Sequence, residues 1–220
     1  QKKSRGRPPK QIGGQHETRT ALLRAGVEVL TEKGFTATGI DEILRRVGVP
    51  KGSFYHYFGS KEAFGVEVIE TYADYFARKL DHCLLDESFP ALERIANFVA
   101  DARTGMQRHG FRRGCVIGNL GQEMSALPEA YREQLAAVFA DWESRLARCI
   151  ETARAEGTIS PAADCMGLAT FFWIGWEGAV LRRPGKAATR PSVGTRDESR
   201  GLPPWSWTTI TTFRWEYCLC

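Results

Sequence analysis

The chain has 220 residues, 43% of them apolar and 25% charged, and a formal net charge of +4. That balance suits a globular protein built as one large domain, or as a small head on a larger body. The mild net charge does not by itself argue for a nucleic-acid partner. The longest apolar stretch, about residues 168–181, is too short to span a bilayer and contains Glu177.

The charge is unevenly placed. Residues 1–16 hold Lys2, Lys3, Arg5, Arg7 and Lys10 and no acidic residue. Residues 1–15 therefore read as a disordered basic arm of the kind that lies on a phosphate backbone. No apolar run follows the basic residues, so no secretory leader is expected. The six cysteines (Cys83, Cys115, Cys149, Cys165, Cys218, Cys220) form no Cys-x-x-Cys pair and have no histidine at zinc spacing. The expectation is a cytoplasmic protein with reduced thiols, without metal, cofactor or membrane partner.

From about His16 onward, Leu22, Leu23, Val27 and Leu30 recur at helix spacing, and Gly34 supplies the stop. Thr38 stands three residues before Asp41, a capping-box-like start that predicts a short helix through Ile43, Leu44 and Val47. Gly48-Val49-Pro50 breaks that helix, and a second short one is predicted over residues 51–57. Ser60 is a natural N-cap for a long helix carrying Phe64, Val68, Tyr72, Tyr75, Phe76 and Leu80. Further helices are predicted over residues 90–108, 115–125, 128–156 and 161–182. Pro128 and Pro161 suit first turns, and Ser160 is placed to cap the last helix. No strand alternation of useful length occurs. The predicted fold class is all-α, with a three-helix head over residues 16–62 and a helical bundle over residues 63–183. Residues 184–220 hold Pro184, Pro191, Pro203, Pro204, Trp205, Trp207 and Trp215 without a helix-period stripe. They read as an atypical tail, frameshifted or disordered.

Two short helices joined by a Gly-containing turn, after a longer helix, fit a helix-turn-helix. Phe54 and Phe58 share a face at i, i+4 and are assigned to the core. That leaves Lys51, Ser53, Tyr55 and His56 for a major groove and its phosphate walls. Gly52 permits a close backbone approach, and Lys61 at the start of the next helix suits a phosphate. In the arm, Arg5-Gly6-Arg7-Pro8 fits either arginine insertion into a narrow minor groove or plain phosphate attraction.

The run Gly48-Val49-Pro50-Lys51-Gly52-Ser53-Phe54-Tyr55-His56-Tyr57-Phe58-Gly59-Ser60-Lys61-Glu62 resembles the reading helix and following cap of the TetR repressor family. The resemblance implies a homodimer that binds a near-palindromic operator on double-stranded DNA and releases it when a small molecule occupies the C-terminal domain. It implies DNA contacts at Thr38, Lys51, Ser53, Tyr55, His56 and Lys61, with Gly52 and Tyr57 in the same unit. Residues 109–124 and 172–179 are further similar to members of that family that govern acrylate utilisation. The likeness runs from about residue 16 to residue 182 and implies acrylate, or a related electrophilic carboxylate, as effector. Such relatives continue beyond residue 182 as another helix that helps form the dimer, whereas this chain turns into the atypical tail.

A small anionic electrophile needs a compact pocket with cationic donors and apolar walls. His109, Arg112 and Arg113 are the candidate charges, with Glu123 a possible pair for the arginines, and Trp142, Trp173 and Trp176 the candidate walls. Each tryptophan also suits plain core packing. Cys115 opens a predicted helix after two arginines, a setting that lowers a thiol pKa and favours addition to an activated alkene or oxidation. The plainer reading is a buried, inert thiol used as a small apolar group. No phosphate loop, metal cluster or nucleophile elbow points to an enzyme.

Overall fold

Glycines in the left-handed region set the first boundaries. The computed structural model describes residues 14–182; the basic arm with Arg5 and Arg7, and the tail over residues 184–220, lie outside the described residues. Helix α1, Gln15–Lys33, stops at Gly34 with φ 79°, and α2, Ile40–Val47, stops at Gly48 with φ 74° and ψ 33°. Only glycine adopts such angles without a steric penalty. The Gly48-Val49-Pro50 turn leads into α3, Lys51–Phe58. Then follow α4 (Lys61–Leu84), α5 (Ala91–Arg108), α6 (Val116–Gln122), α7 (Glu129–Ala155) and α8 (Cys165–Leu181). A single 3-10 turn, Met124–Ala126, joins α6 to α7. Among the described residues all regular structure is helical, as the sequence predicts.

Capping tests the sequence reading residue by residue. Ser60 caps α4 as expected, its hydroxyl accepting from the Ala63 N–H at 3.0 Å. Thr38 does not cap α2. Its side chain is only 2% exposed, and Oγ1 donates to the Gly34 carbonyl at 2.5 Å, so it closes the α1–α2 turn instead. The cap position belongs to Gly39, whose backbone alone serves. Ser160 does not cap α8 either; it accepts from Ala162 N–H in the preceding turn. Asp164 caps that helix through Gly167 N–H at 3.0 Å, four residues after the expected start.

Helix α4 packs against α1 at one end and against α5 and α7 further along. The α1–α4 crossing is close because Gly26 faces Phe64 and Val68, where a Cβ would lie within 3 Å of both side chains. The head core is made by Leu22, Val29, Leu30, Ile43, Phe54 and Phe64, all nearly inaccessible. In the body, Phe76 of α4 meets Trp142 of α7 at 4.3 Å between ring centroids, and Trp142 meets Trp173 of α8 at 5.1 Å. Offset and edge contacts of this kind bury large apolar areas while fixing ring orientation.

Candidate nucleic-acid interface and ligand cavity

Helix α3 presents two faces. Phe54 and Phe58 are buried against Phe64, at 5.0 and 4.8 Å between centroids, which seats the helix on α4. Lys51, Gly52, Tyr55 and His56 point outward, Ser53 is half-buried, and Tyr57 is half-buried against the core. Tyr55 keeps 46% of its surface and rests edge-on against Phe54. Lys51 lies 3.6 Å from Asp41, an exposed and therefore weak pair. A Cβ on Gly52 would meet nothing within 4 Å, so the close approach it allows is toward solvent and not toward this chain.

Two expected DNA contacts sit differently. The Thr38 hydroxyl is buried and engaged with Gly34, which withdraws its side chain from any groove-facing surface. Lys61 turns back over the α1–α2 turn, donating to the Phe35 carbonyl at 3.1 Å with its ammonium 4.3 Å from the centre of the Phe35 ring. An ammonium has three donors, so this bond leaves donors for a phosphate.

The second feature is a cavity of about 190 Å³ among α1, α4, α5, the segment before α6, and α8. Its lining includes Glu28, Tyr72, Lys79, His109, Arg113 and Cys115, with Trp176 and Val180 as apolar wall. That volume falls short of the roughly 300 Å³ at which drug-sized pockets begin, so the space suits a molecule of a few heavy atoms. It adjoins an open basin of about 450 Å³ that shares Tyr75, Lys79, Gly105 and His109 with it and adds Arg78 and Arg108, opposed by Asp101.

Four of the seven sequence-assigned ligand residues, His109, Arg113, Cys115 and Trp176, meet at this cavity. Arg112 is exposed and outside its lining. Trp142 and Trp173 are core residues packed in tilted contacts between α4, α7 and α8, also outside it. Glu123 pairs with neither arginine; it accepts from the Phe35 and Thr36 backbone N–H groups at 3.0 and 2.7 Å and fastens α6 to the head. Arg113 pairs instead with Glu28 and Glu32 of α1, each at 3.4 Å.

Cys115 takes the buried alternative of its two readings. Its sulfur caps α6, accepting from Gly118 N–H at 3.4 Å, but the side chain is 4% exposed. Burial, and then the Glu177 carboxylate, push the thiol well above its usual range, and these outweigh the helix end. Both neighbouring groups were missed from sequence. Tyr72 of α4 shares a hydrogen bond with the Cys115 sulfur, and Glu177 of α8 takes one from the thiol. Burial raises Glu177 to about 7. The signal for it was present: one carboxylate within the apolar run over residues 168–181.

Residues 22–68 match the family described as bacterial regulatory proteins, tetR family, and residues 91–192 match the tetracyclin repressor-like C-terminal domain. The chain is 51% identical over 182 residues to the transcriptional regulator AcuR of Cereibacter sphaeroides, which covers 83% of each chain. A solved regulatory protein TetR from Rhodobacter sphaeroides is 53% identical with a TM-score of 0.74, covering 75% of this chain and 87% of that one. The reduced form of Escherichia coli NemR is 31% identical with a TM-score of 0.70, over 76% and 86% respectively.

Proposed function

This chain belongs to the TetR family and is a DNA-binding transcription repressor, not an enzyme; from that premise we propose that it holds a palindromic operator as a homodimer and releases it when a small electrophilic carboxylate of the acrylate class fills the cavity. The observation that carries this reading is the pairing of an outward-facing α3 with a small cavity lined by Lys79, His109 and Arg113 on the same helical frame. Lys51, Ser53, Tyr55 and His56 engage the groove, Gly52 lets the duplex approach, Tyr57 and Lys61 flank it, and Arg5 and Arg7 add the arm. Phosphate contacts set register, while base-edge contacts from Tyr55 or His56 give preference.

A physical route for coupling runs through α1. Glu28 and Glu32 pair with Arg113 at the cavity wall and also with Arg46 of α2, Arg46–Glu32 at 2.9 Å and Arg46–Glu28 at 3.4 Å. An anion that draws Arg113 into the cavity leaves both carboxylates to Arg46 alone. A ligand shifts the two-state balance only by its differential affinity for the two states, which is what such a shared ion network supplies. Helix α4, which joins head to body, transmits the change.

Dimer formation is assigned to α8. Phe171, Ile174 and Leu181 lie outward on one stripe, Ile174 with 67% of its surface exposed, and Gly175 and Gly178 leave open space beside them. Apolar residues interleaved with glycines allow two helices to approach closely, which offsets the helix-propensity cost of the glycines.

A second reading, electrophile sensing through Cys115 and not by reversible occupancy, is favoured by the thiol's place in the cavity wall; the redox form of that reading is disfavoured by the thiol's burial. The function as a whole is tested by footprinting DNA upstream of the gene. Two protected half-sites centred roughly 34–36 Å apart, or a multiple of that, are expected, with protection lost on adding acrylate. Tyr55→Ala or His56→Ala should cost about 1–3 kcal/mol and relax preference at particular bases. Protection that is continuous, unaffected by both substitutions, or indifferent to acrylate would contradict this reading.

A further inference from the structure

The buried polar groups behind the cavity form a chain. The Tyr72 hydroxyl donates to the Cys115 sulfur, and the Cys115 thiol donates to the Glu177 carboxylate. Gly118 makes this possible: a Cβ there would lie 1.8 Å from Glu177 Oε2, so glycine holds open the space the carboxyl fills. The other oxygen, Glu177 Oε1, is buried with no hydrogen-bond partner among the described residues. A buried carboxylate oxygen without a partner is costly, and proteins keep such groups where a proton or a ligand satisfies them. The carboxyl lies in the C-terminal third of α8, against Gly118 of α6.

We propose that Glu177 is the base that takes the Cys115 proton when a small α,β-unsaturated carboxylate enters the cavity, making the thiol a nucleophile only for a molecule that fits. The proposal rests on the cavity being the effector site. Lys79, His109 and Arg113 supply the cationic side of that space, against which the substrate carboxylate is placed, and Cys115 lies in the same wall. The thiol proton passes to Glu177, and the sulfur pair forms the C–S bond at the β-carbon. The π pair moves to the α-carbon, which takes the proton back from the Glu177 acid. The net change is addition of S–H across the double bond, with no oxidant or reductant consumed. Tyr72 hydrogen-bonds the sulfur and stabilises charge as it develops there.

The same arrangement says what Cys115 ignores. The resting thiol is neutral and buried, whereas oxidation and alkylation by bulky reagents follow thiolate character and exposure. The ionisable groups facing the Glu177 carboxyl are Cys115 from the start of α6 and Tyr72 from α4; Arg113, Lys79, His109 and Glu28 line the cavity beside them. The pH response of the reaction is therefore set by Glu177 with Cys115.

The test is intact-mass spectrometry of the full chain over time, with acrylate and with its saturated counterpart propionate, across the neutral pH range. The expected result is a gain of one acrylic acid per chain at Cys115, none with propionate, at a rate that climbs through about pH 7 and then levels. Glu177→Gln should slow the addition about 100-fold, within the usual range for a general base, and move its rise to alkaline pH. Gly118→Ala, which keeps both reacting groups but displaces the carboxyl, should slow it in the same direction. The proposal is overturned if Glu177→Gln reacts at the parent rate with the parent profile. It is also overturned if acrylate releases DNA without modifying Cys115, which leaves the effector site standing. If acrylate neither modifies the chain nor releases DNA, the effector reading itself fails.

Discussion

At the scale of single residues, environment overrides sequence position. Cys115 follows two arginines and opens a helix, a setting that on sequence suits either a reactive thiolate or a buried, inert thiol, and burial with Glu177 decides for the neutral form. Thr38 looks like a helix cap and is instead a buried hydroxyl bonded to Gly34. The outward set of α3 was legible because Phe54 and Phe58 at i, i+4 dictate which face is inside. Glu177 was legible only as an anomaly, since nothing in sequence brings it to Cys115. Its protonation carries a stability consequence. A carboxyl raised from 4.5 to about 7 binds its proton more tightly in the native state, so its contribution is present in acid and lost as pH rises between those values. That gap is worth roughly 3 kcal/mol. Urea unfolding of Glu177→Gln beside the parent should therefore match near the acid end and show the variant more stable above neutrality. Parallel stability curves across the range would mean that Glu177 is not held in a dry site.

At the scale of helices, the number and order of elements follow from periodicity and glycine stops, and the ends are where tertiary contacts decide. Helix α8 begins at Cys165 and not near Pro161 because Asp164 reaches Gly167 N–H while Ser160 is occupied in its own turn. Its two faces are unequal in kind: Ala169, Trp173, Trp176 and Val180 are buried, and Phe171, Ile174 and Leu181 each keep about half or more of their surface exposed. A helix that is apolar on both faces needs a partner on each. Ile174→Glu should convert a dimer to a monomer in sedimentation or light scattering, because a carboxylate at the middle of the stripe is desolvated on association. A variant that stays dimeric at the parent's concentration dependence would move the interface away from α8.

At the scale of the whole molecule, the head and the cavity share α1 and α4. Glu123 holds the α1–α2 turn from α6, Tyr131 OH donates to the Glu62 carbonyl from α7, and Arg113 shares Glu28 and Glu32 with Arg46. These links join residues as far apart as 81 and 88 positions, which is why sequence gave the two sites separately and not the connection between them. Coupling between the sites is a free energy, typically about 1–3 kcal/mol. The most direct measurement is the Kd for a labelled upstream DNA fragment at fixed salt, with and without saturating acrylate. A rise of roughly 5- to 150-fold is predicted. An unchanged Kd while acrylate demonstrably occupies the cavity would contradict the account.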